Sequence, residues 1–289
     1  MRPKILVTGA NGYIASLVRL YNADAFDFTC VSHSDLDFSK TKDVADYFEK
    51  ADFDIVFHTA ANTTTADCER DPEGTHRINS ESAIEIARIC AMREKRMIFL
   101  STEQLFNGKT QPGPFKETEE PLCVTDYGKQ KLEVDSWIRA NLKDYVIFRL
   151  SWQFGLPFAH VKVSPGILER VMKAVKTDTP TKFTVNEKRC MTYAQRLADG
   201  FGRLTEAPTG VYNIASENDL TTYESARYIA KRLGCSDAET EKLILPDYER
   251  YADRFRDYRL DANKAKELGV PLATFEEDVD TCLKDFGLL

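Results

Sequence analysis

Short apolar segments alternate with segments of helical periodicity through residues 1–150 of this 289-residue chain. The predicted strands are Lys4–Thr8, Phe28–Val31, Asp54–His58, Met97–Ser101 and Tyr145–Leu150. The predicted helices between them are Tyr13–Tyr21, Lys42–Lys50, Glu73–Arg93 and Tyr127–Ala140. Continuous apolar strands that alternate with helices are typical of a parallel sheet covered by helices on both faces. The pattern therefore predicts an α/β fold built on a doubly wound parallel sheet.

The alternation becomes looser after residue 150. Short strands are predicted at Phe183–Val185 and Val211–Ile214. Helices are predicted at Ile167–Val175, Tyr193–Leu204, Thr222–Leu233, Asp261–Leu268 and Phe275–Lys284, and Gly234 and Gly269 stand where two of them should end. We expect residues 151–289 to form mainly a smaller, partly interleaved α/β domain, with segments near 183–205 returning to the first domain.

The composition excludes several classes of protein. Asp and Glu (46) outnumber Lys and Arg (39), which gives a formal net charge of −7, and no basic run predicts a nucleic-acid or membrane surface. The apolar runs are too short to cross a bilayer, and the N-terminal residues lack the pattern of a secretory leader. The seven cysteines form no CxxC pair, so we predict reduced thiols, no metal site and a cytoplasmic location.

A glycine-containing loop joins the first predicted strand to the first predicted helix. Strand Ile5–Thr8 continues into Gly9-Ala10-Asn11-Gly12, and the helix follows with Ala15 in place of a third glycine. Glycines let the backbone approach a pyrophosphate, and the helix N-terminus supplies free N–H groups. This context predicts a Rossmann-type dinucleotide-binding domain at residues 1–150. The predicted cofactor contacts in the loop are Thr8, Gly9, Asn11, Gly12, Tyr13 and Ile14.

The end of the second strand bears on the choice between NAD and NADP. NAD sites usually place an acid there, against the ribose 2′-hydroxyl. This chain has Ser32-His33-Ser34 at that point, and Asp35 comes slightly late. The lack of an acid at Ser32 favours NADP(H) over NAD(H). His33 is either a contact of the 2′-phosphate or an exposed loop histidine.

Three residues are predicted to be catalytic. Tyr127 and Lys131 are four residues apart on a predicted helix and therefore share one face. A tyrosine pKa of about 10 is too high for acid–base work at neutral pH, and a neighbouring ammonium is expected to lower it. Thr102 follows the fourth predicted strand, at the carboxyl edge where α/β sheets bind ligands. Its hydroxyl can orient a carbonyl or an alcohol.

Further motifs accompany the glycine loop and the Tyr127–Lys131 pair. They are Asp35-Leu36-Asp37-Phe38, His58-Thr59-Ala60-Ala61-Asn62-Thr63, Leu105-Phe106, Arg149-Leu150-Ser151-Trp152-Gln153-Phe154-Gly155, and Leu260-Asp261 with Lys264. On these residues the chain resembles, nearly end to end, the extended short-chain dehydrogenases/reductases, and most of all their dTDP-4-dehydrorhamnose reductase branch. The resemblance implies a hydride-transfer enzyme that uses Thr102, Tyr127 and Lys131.

The resemblance also implies further cofactor contacts. Lys131 would hold the nicotinamide ribose, and Asp37 would contact the adenine amino group. The other implied contacts are Phe38, Ala60, Ala61, Thr63, Asn79 and Tyr127. Two of these assignments have alternatives that stay open: Asp37 as an acid near a helix N-terminus, and Asn79 as a satisfied amide on a helix face.

Four residues are candidates for the substrate side of the site. Arg189 and Arg254 resemble arginines that nucleotide-sugar members of the superfamily use against the diphosphate, a role that suits guanidinium groups. Trp152 resembles a tryptophan of the sugar pocket, and Glu103 follows Thr102. The open alternatives are ion pairs for the two arginines and core packing for Trp152.

The expected activity is NAD(P)-dependent reduction of a 4-keto-deoxysugar nucleotide, with Tyr127 as proton donor and Thr102 holding the oxygen. Glu103-Gln104 departs from the Asp-Tyr of these reductases, and Gln104 cannot serve as the acid that a dehydratase has there. Two alternatives stay open: a nucleotide-sugar 4-epimerase, and a non-catalytic NADP-binding regulatory subunit. The expected partner is a nucleotide-sugar substrate, with neither nucleic acid nor a membrane, and a homodimer stays open.

Overall fold

A six-stranded parallel sheet lies at the centre of the molecule. The structure is a computed structural model that describes residues 2–158, 161, 163 and 166–289. The strands are β1 (Lys4–Thr8), β2 (Asp27–Val31), β3 (Ile55–His58), β4 (Arg96–Thr102), β5 (Tyr145–Leu150), β6 (Trp152–Phe154), β7 (Thr181–Thr184), β8 (Glu187–Lys188), β9 (Met191–Tyr193), β10 (Gly210–Ile214), β11 (Ile244–Asp247) and β12 (Arg256–Asp257). The central sheet has the order β10-β5-β4-β3-β1-β2, and every pairing in it is parallel.

Helices connect most of these strands. They are α1 (Tyr13–Tyr21), α2 (Thr41–Lys50), α3 (Thr65–Arg70), α4 (Pro72–His76), α5 (Ser82–Met92), α6 (Asp126–Asn141), α7 (Ile167–Thr177), α8 (Gln195–Thr205), α9 (Thr222–Arg232), α10 (Asp237–Leu243), α11 (Asn263–Glu267) and α12 (Phe275–Asp285). The helix predicted over residues 73–93 consists of α4, a π-helical turn at Arg77–Glu81 and α5 in direct succession. Within the described residues, no helix has the length and apolar character needed to cross a membrane.

The central sheet is covered on both faces. Helices α1 and α8 pack on one face, through apolar residues that include Leu17, Val18, Leu197 and Phe201. Helices α2, α5 and α6 pack on the other face, through Val44, Phe48, Ile86 and Val134. Burial on both faces explains why the strands are continuous apolar runs rather than alternating ones. The predicted α/β fold with a doubly wound parallel sheet is confirmed.

The second half of the chain contributes to the central sheet. Strand β10 pairs with β5 at the edge of that sheet, and α8 packs against α1. Strand β7 pairs instead with β11 in a separate two-stranded sheet, beside a core formed by α7, α9 and α12. The chain therefore returns to the central sheet at residues 195–214, which overlap the predicted 183–205 over the whole of α8. The division at residue 150 stays a prediction.

Strand order places two loops side by side at the carboxyl edge of the sheet. β1 pairs with β2 on one side and with β3 on the other, so the loops after β1 and β3 meet at the point where ligands bind in such sheets. The Thr8 hydroxyl lies 2.9 Å from His58 Nδ1 and accepts a hydrogen bond from Ala60 N (3.2 Å). The buried pair of Arg149 on β5 and Asp135 on α6 (3.1 Å) holds α6 against the sheet.

Candidate active site

A cleft of about 520 Å³ opens at this carboxyl edge and is lined by both halves of the chain. The predicted site residues that line it are Gly12, Tyr13, Ile14, Ala61, Thr63, Thr102, Glu103, Tyr127, Lys131 and Trp152. The predicted residues that do not line it are Thr8, Gly9, Asn11, His33, Asp37, Phe38, Ala60, Asn79, Arg189 and Arg254. The catalytic candidates and the candidates for cofactor binding in the loops after β1 and β3 thus line one cavity.

The loop between β1 and α1 has the geometry of a phosphate-binding turn. Gly9 has a φ of +62°, and a Cβ there would lie 2.8 Å from Ala60 N, so any side chain would collide with the neighbouring loop. Gly12 precedes the first turn of α1, and no side chain caps that helix N-terminus. Free N–H groups and the positive end of the helix dipole remain available to an anion. The loop therefore fits the pyrophosphate of a dinucleotide.

Thr8 and Tyr13 flank this loop and hold it in place. The Thr8 side chain is engaged with His58 and Ala60 inside the protein, so its hydroxyl is not presented to the cleft. The Tyr13 hydroxyl donates a hydrogen bond to Leu156 O (3.1 Å) in the second half of the chain. Burial raises the pKa of Tyr13 well above its ordinary value. This tyrosine ties the loop to the opposite side of the cleft.

An acid does stand at the end of β2. Asp35 turns back, and its carboxylate accepts hydrogen bonds from Ser32 N (2.8 Å) and Ser32 Oγ (2.6 Å), which lower its pKa. His33 is exposed beside it. The Asp37 carboxylate accepts bonds from Ser39 N (2.9 Å) and Ser39 Oγ (2.7 Å) in the turn before α2. The acid that the sequence places slightly late is thus folded back to the end of β2, and the preference for NADP(H) over NAD(H) stays a prediction.

Asn79 lies behind the cleft. It is 1% exposed, and its amide is bonded to Asn62 N (2.7 Å), Asn62 O (2.9 Å) and Gln130 Oε1 (2.8 Å). These bonds fix the loop after β3, which presents Ala61 and Thr63 to the cavity. These contacts agree with the alternative left open above, in which Asn79 is a hydrogen-bonded amide on a helix face.

The three predicted catalytic residues converge on the cleft. Thr102 ends β4, and its hydroxyl accepts a hydrogen bond from Gln104 N (3.2 Å), which begins a short 3₁₀ helix. Tyr127 and Lys131 lie one turn apart on α6, whose N-terminus is capped by the Thr125 side chain. All three are buried in the protein but line the cavity. A carbonyl placed there would meet two hydroxyls and one amine.

Burial dominates the electrostatics of this trio. It raises the pKa of Tyr127, and the nearby Glu103 raises it further. Lys131 Nζ donates to Leu100 O (2.9 Å) and lies 4.5 Å from the centre of the Phe99 ring, and burial lowers its pKa to about 7. The expected lowering of the Tyr127 pKa by Lys131 is therefore corrected, because burial disfavours the charged form of both groups. Tyr127 is a protonated phenol at neutral pH.

Arg189 is buried behind the cleft rather than on it. Its guanidinium is sandwiched between the rings of Trp152 (4.5 Å) and Tyr258 (4.6 Å) and forms ion pairs with Glu103 and with Glu187 (2.7 Å). Burial raises the pKa of Glu103, although Arg189 opposes that effect. One guanidinium between two carboxylates has no charge left for a diphosphate. Its contacts instead hold Trp152 and Glu103, which do line the cavity.

The second predicted substrate arginine is also engaged elsewhere. Arg254 donates to Lys109 O and Asn107 O (2.8 Å each), and so fastens the loop after the 3₁₀ helix. Neither Arg189 nor Arg254, the two candidates for the substrate diphosphate, lines the cleft. The arginine that does line the cleft is Arg170, in the first turn of α7, which the sequence analysis missed. In the sequence, Arg170 is marked only by its position in the first turn of the predicted helix Ile167–Val175.

The family assignment follows from the match to a protein-family model. The model described as the RmlD substrate binding domain matches residues 2–288. The chain belongs to this family. The likeness to the dTDP-4-dehydrorhamnose reductase branch, drawn above from motifs, is thereby confirmed.

Relatives of known name agree with this assignment. The chain is 27% identical to the probable low-salt glycan biosynthesis reductase Agl14 of Haloferax volcanii, over 94% of this chain and 95% of that protein. It is 26% identical to the dTDP-4-dehydrorhamnose reductase of Salmonella typhimurium, over 79% and 78%. The crystal structure of dTDP-4-dehydrorhamnose reductase from Bacillus anthracis in complex with NADP has the same fold, with a TM-score of 0.86 at 19% identity over 99% and 100% of the two chains.

Proposed function

We propose that this protein is an NAD(P)-dependent oxidoreductase that reduces the keto group of a nucleotide sugar, in the manner of a dTDP-4-dehydrorhamnose reductase. The observation that carries the proposal is the convergence of Thr102, Tyr127 and Lys131 on the cleft that the glycine loop also lines. The family membership and the names of the relatives support the same reaction class.

Different residues of the chain would bind different parts of the cofactor. The loop from Gly9 to Gly12 would hold the cofactor pyrophosphate at the N-terminus of α1, and Lys131 would hold the nicotinamide ribose. When bound, the cofactor supplies the hydride that reduces a carbonyl. Burial in the cleft excludes water from the reacting groups and strengthens each polar contact to the substrate.

Tyr127 is the proposed proton donor. Its raised pKa keeps the phenol protonated at neutral pH, which is the form that a reduction requires. Thr102 would donate its hydroxyl hydrogen to the same substrate oxygen and so fix that oxygen between two donors. Donation of that proton leaves a phenolate in a buried site beside Glu103, which is unfavourable unless a neighbouring positive charge stabilises it. Lys131, one turn away on α6, would supply that charge.

The sugar is proposed to lie against Trp152 and Glu103. The Trp152 ring offers an apolar face, and the Glu103 carboxylate, held by Arg189, offers acceptors for sugar hydroxyls. The group of Glu103, Glu187 and Arg189 carries a formal charge of −1 when all three are ionised, so this end of the cleft suits hydroxyls rather than phosphates. Specificity for the sugar would thus be set beside the catalytic tyrosine.

Turnover with a 4-keto-deoxysugar nucleotide tests the proposal. The purified protein is mixed with substrate and NADPH or NADH, and cofactor oxidation and product mass are followed together. Oxidation of one cofactor per product, with a gain of two hydrogens, is expected. An epimerase would interconvert sugars without net cofactor consumption, and a regulatory subunit would bind cofactor without turnover, so either result would contradict the proposal.

A further inference from the structure

The side chain of Tyr13 joins two walls of the cleft. One is the start of α1, residues 12–15, here called the α1 wall, and the other is β6 with Trp152, here called the β6 wall. Tyr13 is the first residue of α1, and its hydroxyl donates a hydrogen bond to Leu156 O (3.1 Å), two residues beyond the end of β6. The bonded residues are 143 positions apart, so this is a tertiary contact between the two halves of the chain.

The ring of the same tyrosine packs against the second half of the chain. Tyr13 is 9% exposed, and its ring meets that of Phe158 edge to face, with the ring centres 5.7 Å apart. Phe158 in turn packs on the apolar core beneath α1. A buried hydroxyl or carbonyl that loses its partner is left unsatisfied, which is unfavourable, so the bond and the ring contact favour one relative position of the two segments.

Gly155 is the position that admits the Tyr13 side chain. A Cβ at residue 155 would lie 2.1 Å from the Tyr13 hydroxyl oxygen and 3.0 Å from the ring carbon that carries it. Carbon atoms that are not bonded to their neighbours pack at about 3.5–4.0 Å, so a side chain there would push the segment after β6 away from α1. The absence of a side chain at Gly155 is therefore what lets the two walls approach each other.

The separation of the two walls matters for the proposed reaction. The glycine loop and the start of α1 would hold the cofactor, whereas Trp152 on the β6 wall would face the sugar. Reacting atoms have to lie about 3–3.5 Å apart in the productive geometry. A displacement of one wall from the other would therefore slow hydride transfer even if each wall kept its own ligand.

We propose that Tyr13 is a positioning residue that sets the separation of the α1 wall and the β6 wall, and so holds the nicotinamide ring of the cofactor where the sugar can reach it. The inference rests on the proposed function, because it concerns the cofactor and the substrate of that reaction. A ligand that touches both walls binds more tightly to a cleft already held at the right width. A ligand that touches the α1 wall alone gains nothing from this contact.

Two ligands that differ by one ring separate these cases without any need for turnover. NADP⁺ and ADP-ribose 2′-phosphate, which is NADP⁺ without its nicotinamide ring, are titrated calorimetrically into the wild type, Tyr13→Phe, Gly155→Ala and the double variant. NAD⁺ and ADP-ribose give the same comparison without the 2′-phosphate. Tyr212→Phe is the matched control, since Tyr212 is also buried, donates to a backbone carbonyl, Pro208 O (2.8 Å), and does not line the cleft. Melting temperatures show that each variant is folded.

Tyr13→Phe is expected to raise the Kd for the dinucleotide about two- to tenfold, the effect of losing one hydrogen bond, and to leave the Kd for the ring-less fragment unchanged. Gly155→Ala should act in the same direction. The double variant should be less impaired than the product of the two single effects, because loss of the hydroxyl also relieves part of the collision at residue 155. Tyr212→Phe should change neither Kd.

Three results would overturn the inference. If Tyr13→Phe leaves the Kd for the dinucleotide unchanged, or weakens the dinucleotide and its fragment equally, this side chain does not set the width of the cleft. If the two single effects multiply in the double variant, Tyr13 and Gly155 act independently of each other. None of these results bears on the reductase itself, which the turnover assay tests separately. A wild-type protein that binds neither dinucleotide would contradict both proposals.

Discussion

The two sides of the cleft position their side chains in different ways. On the side formed by residues 1–150, the first-half side, Thr102 ends a central strand. Tyr127 and Lys131 lie there on a helix that packs on the sheet. Their places follow from the backbone of regular elements. On the second-half side, Trp152 and Arg189 contact each other, and Arg189 is held by the nearby Glu187 and by Glu103, which is 86 positions away. The first side can be located from motifs, whereas the second requires the tertiary structure.

The difference extends to charge. The first-half side presents a neutral phenol, a hydroxyl and an amine whose pKa is lowered to about 7, so that about half of the amine is protonated at neutral pH. On the second-half side, Arg189 is paired with two carboxylates, whereas Arg170 forms no ion pair with any residue that the structure describes. The substitutions below test the groups of the first-half side and the buried ion pairs of the second-half side.

The largest effect is expected from Tyr127→Phe. Loss of the phenolic proton removes the general acid, which contributes about 10²- to 10⁴-fold to such reactions, so kcat should fall by that factor. The Kd for the cofactor should stay close to the wild-type value. Steady-state kinetics together with cofactor titration measure both. A variant that keeps more than about a tenth of the wild-type kcat would remove Tyr127 as the acid.

Arg189→Met should chiefly reduce stability. It would leave Glu103 and Glu187 buried and unpaired, which typically costs about 3–5 kcal/mol in the free energy of unfolding. Because burial raises the pKa of Glu103 and protonation removes its charge, the difference from the wild type should shrink as the pH falls. Urea denaturation at several pH values measures this. Arg254→Met, which removes bonds to carbonyl groups only, is the control and should lose less, without that pH dependence.

His58 should make the protein less stable in acid. Burial, and then the charge of Lys131, lower the pKa of His58 to about 3, whereas the unfolded side chain has a pKa of about 6.5. Its contribution is present above pH 6.5 and is lost as the pH falls toward 3, at about 1.4 kcal/mol per pH unit. Between pH 6.5 and 5, the free energy of unfolding should fall less steeply in His58→Gln than in the wild type. Equal slopes would mean that His58 titrates normally in the folded protein.

A smaller effect is expected from Asp35→Asn on the choice of cofactor. The carboxylate at the end of β2 can accept a bond from a ribose 2′-hydroxyl and repels a 2′-phosphate. Its removal should strengthen NADP⁺ binding relative to NAD⁺ by about three- to tenfold, as for an exposed charge. Titration of both cofactors into both proteins gives the ratio. An unchanged ratio would show that Asp35 does not contact this part of the cofactor.

Local signals in the sequence were sufficient for the first-half side of the site. Strand β5 is predicted with its observed bounds, Tyr145–Leu150, and Gly9 adopts the positive φ that its place in the loop requires. Periodicity and glycine placement are properties of short segments, so they can be read without knowing the fold. The α/β architecture followed from the same signals.

Contacts between distant residues were not accessible in this way. Glu103 and Arg189 are 86 positions apart, so nothing in the sequence near either residue shows that they are paired. The return of β10 to the central sheet and the turn that brings Asp35 back to Ser32 are likewise decided by the folded chain. Charged side chains are hardest to assign, because their role depends on which opposite charge lies beside them.

Transfer of isotope from the cofactor tests the central claim most directly. The protein is given a 4-keto-deoxysugar nucleotide and NADPH deuterated at nicotinamide C4, and the product is analysed by mass spectrometry and NMR. We predict deuterium on the sugar carbon that carries the new hydroxyl group, with one cofactor oxidised per product, and no transfer in Tyr127→Phe. If the wild-type protein oxidises no cofactor, or forms a product without deuterium at that carbon, the cleft is not the site of a hydride-transfer reductase.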